Sequence, residues 1–563
     1  MSDTLARRLG FLALAALLVL LYLPTLDSPF VYDDKIEVVG NGTIRDLQQW
    51  RAIATYNLSR PLLVFSYALD FARHGLDPRG YHWTNIAIGV GALGAGFLLA
   101  EAVLRLSGVD RPLARGLAVA GLWAVHPMAT EGFTYITGRS ESLCALGSWL
   151  SLWAWARALG LPAGPGHRVE IGWWRLVSLL FFLLAVSTKE VGAMVPAVAL
   201  TMELMLAPGG SGGLRSRLRA VRWGWYLPYG LLVGLAAWLR LQHADSFLPR
   251  EVDRALPVQL LTQAEAWLHY LRLWLVPAGQ TIFHHLPDAS PGSARSLLAA
   301  AGWLLVVVGG VAWGRRNPAA GFALLAGALF LVPSSSFVPL KENMAEHRAF
   351  QTGYWLLLAV AATLPLRRPR RVVAAAVILG LAWAGLTLRR HRVWSSEIGL
   401  WQEAVDRSPD LAEAWYGLGD AFRFAGQFEQ ARAAYQRAVE LDRHLLDAWN
   451  NLGIVAASLG DSAAARDAWL TVLRVSPTYC KAHSNLGVLA QGARRYDEAI
   501  TEYRSALAYC PDNVRAHLGL CDIYHGPRRD RERAIHHCQA FVDLAPQADE
   551  AAAVREWIFE LTF

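Results

Sequence analysis

Charged residues are scarce in this chain of 563 residues: Asp, Glu, Lys and Arg together make up 18%, whereas hydrophobic residues make up 54%. Apolar runs of about 18 residues or more, flanked by Arg, are typical of a protein that crosses the membrane several times. The net charge of +7 does not indicate nucleic-acid binding, because the Arg residues cluster between the apolar runs, as in cytoplasmic loops. The chain is too long for one soluble core, so we expect at least two domains.

Metal-binding patterns and a cleavable leader are also missing from the sequence. The five Cys do not have the spacing of a zinc site, and no His and Asp spacing demands a metal. The N-terminal apolar run is too long for a cleavable signal peptide, and no small-x-small site precedes Asp33. We therefore expect this run to stay in the protein as its first span.

Eleven apolar segments are predicted to cross the membrane. Arg7 and Arg8 place the N-terminus in the cytoplasm by the positive-inside rule, so the first span delivers the long loop 28–82 to the outside. Residues 258–277 carry several polar side chains and are predicted to form an interfacial or re-entrant helix on the outer face. The predicted spans are 9–26, 83–106, 112–127, 139–159, 172–188, 190–207, 223–241, 296–313, 318–333, 350–366 and 371–388.

A motif recurs every 34 residues in the C-terminal region: Trp415–Gly419 is followed by Trp449–Gly453, His483–Gly487 and His517–Cys521. This period is that of the tetratricopeptide repeat, a pair of antiparallel helices. Trp401 matches the second helix alone, so the array is predicted to begin with a half-repeat. The fold class is therefore all-α, a polytopic membrane domain followed by an α-solenoid. The predicted parts are the membrane domain 1–390, the half-repeat linker helix 391–411, four repeats in 412–547 and a capping helix 548–563.

The repeats predict a binding surface, and extended helical surfaces suit a polypeptide partner. A rigid spacer or an assembly scaffold is the alternative. In the last two repeats, Cys480 and Cys510, and likewise Cys521 and Cys538, are placed to meet on neighbouring helices. Two disulfides in an oxidising compartment and four free buried thiols are both compatible with this pattern.

Ionisable residues at the outer ends of the spans form the candidate site, since such residues tend to mark function. Asp33 and Asp34 directly follow the first span and face Arg, Lys and His on other loops. This suits a substrate with a phosphate and an acceptor with a proton to lose. Taken singly, each residue is more often a helix cap or a membrane anchor than a site residue, and the whole set carries the prediction. The other members are Arg60, His82, Asn85, His126, Glu131, Arg139, Lys189, Glu190, Glu346, His347 and Arg348.

The order of these motifs resembles that of the transmembrane-and-tetratricopeptide-repeat protein O-mannosyltransferases and their bacterial relatives. The resemblance covers nearly the whole chain. One departure follows the EHR motif, where the family often has Tyr-Leu-Pro and this chain has Ala349-Phe350-Gln351. The motifs that carry the resemblance are Phe30–Asp34, Arg60–Leu62, Tyr81–Asn85, His126–Leu143, Thr188–Glu190 and Glu346–Arg348.

The resemblance implies a membrane glycosyltransferase of the GT-C class that acts on the extracytoplasmic face. Its donor would be a polyprenyl-phosphate sugar, with mannose expected, and its acceptor a hydroxyl group, with Ser or Thr of a polypeptide expected. In that class a carboxylate in the first outer loop is the candidate base, which falls on Asp33 or Asp34. Arg139, Lys189 and Arg348 are the candidates for the donor phosphate, and His347 and His126 are each read as a phosphate ligand or a helix cap.

Three further expectations accompany this reading. No metal is required, although a divalent cation at the acid pair is compatible with it. The high content of Arg, Ala, Leu and Trp and the short outer loops favour a bacterial host, which would place the protein in the inner or plasma membrane. A eukaryotic host would instead place the repeats in the lumen of the endoplasmic reticulum. The alternative functions are a non-enzymatic scaffold that recruits envelope proteins and a GT-C enzyme that modifies an envelope glycan or lipid.

Overall fold

The computed structural model describes residues 2–161, 167–208, 213–242, 254–335, 342–365, 369–546 and 548–563, and these segments contain helices and no strand. Residue 366, the end of a predicted span, and residue 547, the end of the predicted repeats, lie outside them. The chain divides into two units, Met1–Glu403 and Ala404–Phe563. The all-α class is confirmed, while the finer domain boundaries stay predictions.

The helices of the first unit follow the apolar runs. In the described part of the chain they are α1 (Asp3–Tyr22), α2 (Trp50–Tyr56), α3 (Pro61–His74), α4 (Pro78–Leu106), α5 (Pro112–Val125), α6 (Thr130–Thr134), α7 (Arg139–Leu159), α8 (Arg168–Val186), α9 (Val195–Leu206), α10 (Leu214–Ala220), α11 (Leu227–Leu241), α12 (Leu256–Leu275), α13 (Ala294–Gly314), α14 (Pro318–Ser335), α15 (Phe350–Thr363), α16 (Pro369–Trp394) and α17 (Glu397–Arg407), the last of which crosses the boundary between the units.

A helix lies at each of the eleven predicted spans, and another lies at the predicted interfacial segment. Several of these helices are apolar enough to support a multi-pass membrane protein, while the number of spans and their sidedness stay predictions. Among the described residues, five helices are long and apolar enough to cross a membrane by themselves: Asp3–Asp27, Pro78–Leu106, Arg168–Val186, Ala294–Gly314 and Arg370–Trp394.

The first outer loop has a core of its own. Val38, Ile44 and Ile53 are completely buried against Tyr67 of α3 and Ile136 just before α7. Pro at the first position starts both α3 and α4, because its fixed φ suits the first turn of a helix. The loop is therefore folded against the membrane helices, and it can hold side chains in fixed places.

An aromatic cluster lies beneath this loop. The ring of Trp123 meets Phe133, Trp149 and Phe350 edge to face, with centroids 4.9–5.5 Å apart. Edge-to-face contacts of this kind add to the free energy gained by burying the rings. The four residues come from α5, α6, α7 and α15, so the cluster ties together the helices that carry the candidate site.

The second unit consists of four helix pairs and a final helix. In the first three pairs the two helices meet at a glycine: a Cβ on Gly453 would lie 2.5 Å from the indole nitrogen of Trp469. Gly419 meets Tyr435 and Gly487 meets Tyr503 in the same way, which explains the 34-residue period and confirms the repeats. The helices are α18 (Ala412–Phe424), α19 (Phe428–Leu441), α20 (Leu446–Ser458), α21 (Ser462–Val475), α22 (Cys480–Gly492), α23 (Tyr496–Tyr509), α24 (Val514–His525), α25 (Arg531–Leu544) and α26 (Ala551–Thr562).

The repeat cysteines are paired as disulfides. Cys480, the first residue of α22, is bonded to Cys510, which follows α23, and Cys521 of α24 is bonded to Cys538 of α25. The four free thiols that the sequence left open are therefore not what the structure contains. Cys144 is free and buried in α7.

Replacing Cys480 and Cys510 by Ser should lower the free energy of unfolding of the repeats by about 3 kcal/mol, because the bond closes a loop in the unfolded chain. The measurement is chemical denaturation of the purified chain, followed by circular dichroism. Reductant should destabilise the wild type and leave a variant without the four repeat cysteines unchanged. Identical unfolding of the wild type with and without reductant would contradict the pairing.

Candidate active site

The first outer loop gives its two adjacent acids opposite environments. Asp34 is 1% exposed, and its carboxylate accepts hydrogen bonds from the backbone N–H groups of Val31 (3.2 Å) and Thr137 (2.8 Å). Asp33 is exposed, and its own N–H donates to the hydroxyl of Tyr135 at 3.0 Å. Asp34 therefore anchors the loop, and Asp33 is the acid that another molecule can reach.

The backbone turns sharply just before these acids. Tyr32 has φ = +51°, in the left-handed region that non-glycine residues rarely adopt. Its hydroxyl donates to Glu342 at 3.0 Å. A strained residue persists only where its surroundings hold it, and such residues cluster at functional sites.

Both acids titrate abnormally. Burial raises the pKa of Asp34 to about 7, although its two backbone hydrogen bonds act in the opposite direction. Burial also raises the pKa of Asp33, opposed by a hydrogen bond from Tyr135 and by the charges of Arg60 and Lys189. Asp33 thus lies in a recess: it is accessible, yet protein surrounds it on several sides.

Cations border this recess on the side of the α8–α9 connection. Arg60 lies 3.0 Å from Glu190, which also receives Arg240 at 3.0 Å. Lys189 is 5% exposed and forms an ion pair with Glu141 of α7. Two of the cations predicted from the sequence, Arg60 and Lys189, therefore lie close enough to Asp33 to affect its titration.

The EHR motif forms another wall. Glu346 is buried and accepts hydrogen bonds from Gln280 (2.9 Å), the N–H of Thr281 (2.7 Å) and His284 (2.8 Å). Burial alone would raise the pKa of Glu346, but the hydrogen bond and charge of His284 bring it below its usual range. The neighbouring Glu131 has its pKa raised by burial and by the charge of Glu346.

The two basic residues of this motif, His347 and Arg348, differ in their charge. His347 lies 3.4 Å from Glu131. Burial, together with the charge of Lys189, lowers the pKa of His347 to about 3. The imidazole of His347 is therefore neutral at physiological pH. Arg348 donates to the backbone oxygen of Glu342 at 3.1 Å. Within the described residues Arg348 forms no ion pair with a carboxylate within 4.0 Å, and its charge acts on the nearby carboxyl of Glu342, whose pKa it lowers against the effect of burial.

Arg139, which the sequence predicts to bind the donor phosphate, lies inside the protein and not at the surface of the recess. It is completely buried and donates to Asp70 (2.5 Å), Asn85 (2.7 Å), Ser66 (3.1 Å) and the backbone oxygen of Tyr81 (3.0 Å). These bonds join α3, α4 and α7. Arg139 and Asn85 therefore form an internal frame under the recess and do not face it.

The two remaining histidines lie inside the protein. His82 is 1% exposed and donates to the backbone oxygen of Ser28 at 3.0 Å. His126 accepts from the N–H of Met128 (3.1 Å), as a helix cap does, and stacks on Trp274. Of the two readings that the sequence left open for His126, the geometry favours the cap.

Several residues around the recess escaped the sequence analysis. Arg240 is an ionisable residue at the outer end of a predicted span, so the rule that selected the other residues would have found it. Glu342 stands in the same predicted outer loop as Glu346 and would have been found in the same way. Tyr135, Gln280 and Thr281 carry no such signal, because each acts through a contact made by the fold. In the ranges that the structure covers, no group of three or more His, Cys, Asp or Glu is arranged to hold a metal ion.

Replacing Arg139 by Leu should lower the free energy of unfolding by about 3–5 kcal/mol, because Asp70 is then left as a buried unpaired charge. Thermal unfolding of the detergent-solubilised protein measures this. Arg157→Leu is the matched control on α7, since Arg157 is exposed. If Arg139→Leu melted like the wild type and yet failed to bind substrate, the framing role would be wrong.

Two family models match the C-terminal region. One, described as tetratricopeptide repeat, matches residues 398–442 and 416–478, and one, described as TPR repeat, matches residues 495–526. Among solved structures, MamA is 21% identical and covers 27% of this chain and 87% of its own, with a TM-score of 0.24. A score this low supports no further conclusion.

Curated relatives share one name. A protein O-mannosyl-transferase of Caenorhabditis elegans is 24% identical over 76% of this chain and 62% of its own length. Protein O-mannosyl-transferase TMTC4 of Homo sapiens is 24% identical over 72% of this chain and 63% of its own length. Tmtc1 of Drosophila melanogaster is 31% identical over 27% of this chain and 19% of its own length. The chain thus spans less than two thirds of the length of these relatives.

These comparisons agree with the order of the motifs and with the helical architecture. The chain has homologues named protein O-mannosyl-transferases, and it carries tetratricopeptide repeats in its C-terminal region.

Proposed function

We propose that this protein is an integral-membrane glycosyltransferase that moves mannose from a polyprenyl-phosphate donor to a hydroxyl group of a polypeptide. The names of the relatives support a glycosyltransferase. The observation that carries the mechanism is the contrast between the two acids: Asp33 is exposed and bordered by cations, whereas Asp34 is buried and occupied by backbone N–H groups. Asp33 is thus the base in this mechanism.

The reaction is a single displacement. Asp33 takes the proton of the acceptor hydroxyl, and the oxygen attacks the anomeric carbon of the sugar. The bond from that carbon to the phosphate oxygen breaks, and the polyprenyl phosphate leaves with the electron pair. One displacement inverts the anomeric centre, and it needs one base and no acid, because a phosphate is a good leaving group.

The leaving phosphate gains negative charge as the bond breaks. Arg348 offers a guanidinium that forms no ion pair with a carboxylate within the described residues, and a guanidinium can hold a phosphate through two hydrogen bonds. Neutral His347 can donate a hydrogen bond to the same group. Lys189 and Arg60 add positive potential, although each is also paired with a Glu.

The lipid chain of the donor requires an apolar site beside the phosphate. A cavity of about 170 Å³ lies among α12, α13, α14 and α15. It is lined by apolar side chains, and Thr352 and Gly353, a few residues after Arg348, are also part of its wall. The neighbouring Trp274 donates its indole N–H to the backbone oxygen of Ala349 at 3.1 Å. This arrangement supports a lipid-linked donor whose phosphate reaches the EHR motif.

The second unit supports the proposed acceptor and the proposed side of the membrane. Disulfides persist in oxidising compartments, so the two repeat disulfides support an extracytoplasmic location. Tetratricopeptide repeats commonly bind polypeptides, which favours a protein acceptor over an envelope glycan or lipid.

Asp33→Asn should reduce transfer by about 100-fold or more, the usual effect of removing a general base. Asp34→Asn should keep turnover but unfold more easily, because one buried N–H loses its acceptor at a cost of about 1–3 kcal/mol. The measurement is transfer of radiolabel from mannosyl-phosphoryl-polyprenol to polypeptide by purified protein. Full transfer by Asp33→Asn would refute the base, and a wild type inactive with every lipid-linked sugar would favour a scaffold.

The rate should rise with pH through the raised pKa of Asp33, because only the carboxylate accepts a proton. The acidic limb of kcat/KM should therefore lie above the ordinary Asp pKa of about 3.9. Since the charge of Arg60 lowers the pKa of Asp33, Arg60→Gln should move this limb to higher pH. Arg240→Gln is the matched control, as it removes a cation from the same Glu190. A limb that Arg60→Gln leaves in place would contradict the assignment.

A further inference from the structure

The residues that flank Asp33 contact helix α17, which follows the last predicted span. Trp401 of α17 is 6% exposed, and its ring lies 5.6 Å from that of Tyr32 and 6.4 Å from that of Phe283. Glu397, in the first turn of α17, forms an ion pair with Lys35. Contacts are thus made immediately before Asp33 and two residues after it, and all these residues belong to the first unit.

The contact of Trp401 is unusual for its place in the repeat pattern. Counting back by 34 from Tyr435, Trp469 and Tyr503 gives position 401, so Trp401 is the large residue of a second repeat helix. In complete repeats this residue packs on a glycine of the first helix, as Trp469 does on Gly453. The half-repeat has no first helix of its own. The rings of Tyr32 and Phe283 are the aromatic groups that Trp401 contacts instead.

The rest of the contact fixes the position of α17. Arg390, near the end of α16, forms an ion pair with Glu403. Trp394 at the end of α16 is 1% exposed and lies 5.3 Å from Tyr135, whose hydroxyl receives the N–H of Asp33. The segment after the last predicted span therefore touches the loop at Tyr32, at Lys35 and through Tyr135.

We propose that Trp401 and Glu397 are positioning residues that hold the loop in the conformation that presents Asp33. The left-handed conformation of Tyr32 needs support from its surroundings. Trp401 packs on its ring, and Glu342 holds its hydroxyl. Glu397 fixes the chain beyond Asp33 through Lys35. A repeat helix is in this way used as part of the catalytic loop's support. The effect on kcat rests on the proposed function, whereas the effect on hydrogen–deuterium exchange of the loop does not.

Hydrogen–deuterium exchange of the full-length protein in detergent tests the structural part. Trp401→Ala should raise the exchange of residues 30–38 at least about 10-fold, because the ring that supports Tyr32 is gone. Trp469→Ala is the matched control: it removes the same residue type at the same repeat position and should raise exchange only in its own repeat. Equal exchange of residues 30–38 in wild type and Trp401→Ala would overturn the proposal.

Kinetics with mannosyl-phosphoryl-polyprenol test the consequence. Trp401→Ala should lower kcat about 10-fold with little change in the KM for the donor. Trp401→Phe should recover most of the lost kcat, and Trp469→Ala should leave kcat unchanged.

A charge swap tests the ion pair between Lys35 and Glu397. Lys35→Glu and Glu397→Lys should each lower kcat, and the double variant should restore it. Failure of the double variant to recover, with normal folding, would overturn the role of Glu397.

The two proposals fail in different ways. An inactive wild type with the expected exchange pattern would refute the transferase and keep the support of the loop by α17. An active wild type, with kcat and exchange unaffected by Trp401→Ala, would keep the transferase and refute the positioning role.

Discussion

Burying a guanidinium is unfavourable unless hydrogen-bond acceptors surround it, and this constraint organises the outer face of the first unit. Arg139 bonds Asp70, Asn85, Ser66 and the backbone of Tyr81, and thereby joins α3, α4 and the start of α7. Removing a charged group from water is unfavourable unless its partners are in place. The loop, α4 and α7 therefore have to meet in one arrangement. The recess around Asp33 is built on that frame.

The same physics separates two adjacent acids. Consecutive side chains of a loop point in different directions, so Asp34 enters the protein and Asp33 does not. The buried acid is compensated by two backbone N–H groups, and it fixes the loop to the segment before α7. The exposed acid keeps its carboxylate available within a recess that raises its pKa. An anchor and a reactive group thus come from one dipeptide, and the difference between them lies in their environment.

The helix after the last predicted span illustrates how a repeat motif can serve another purpose. In the complete repeats the large residues Tyr435, Trp469 and Tyr503 pack against a glycine of the partner helix. Trp401 occupies the equivalent position without a partner helix and packs against the loop that carries Asp33. Exposing a large aromatic side chain to water is unfavourable, so the aromatic residue of an incomplete repeat is more stable when another part of the protein packs on it.

The all-α class, the apolar helices and the repeats can be predicted from the sequence, because they depend on local hydrophobicity and on a period of 34. The sequence also identified most of the charged residues around the recess, since Arg60, Lys189, Glu346, His347 and Arg348 stand at the ends of apolar runs. Which of these residues face the recess depends on how the helices pack. Arg139, His82 and His126 have the same sequence signal as Arg60 and Arg348, but packing encloses them. The tertiary structure also determines which cysteines form disulfides, which of Asp33 and Asp34 is buried, and the contact of Trp401 with Tyr32. Burial and partner distances depend on how distant segments meet, and a linear pattern does not contain that information.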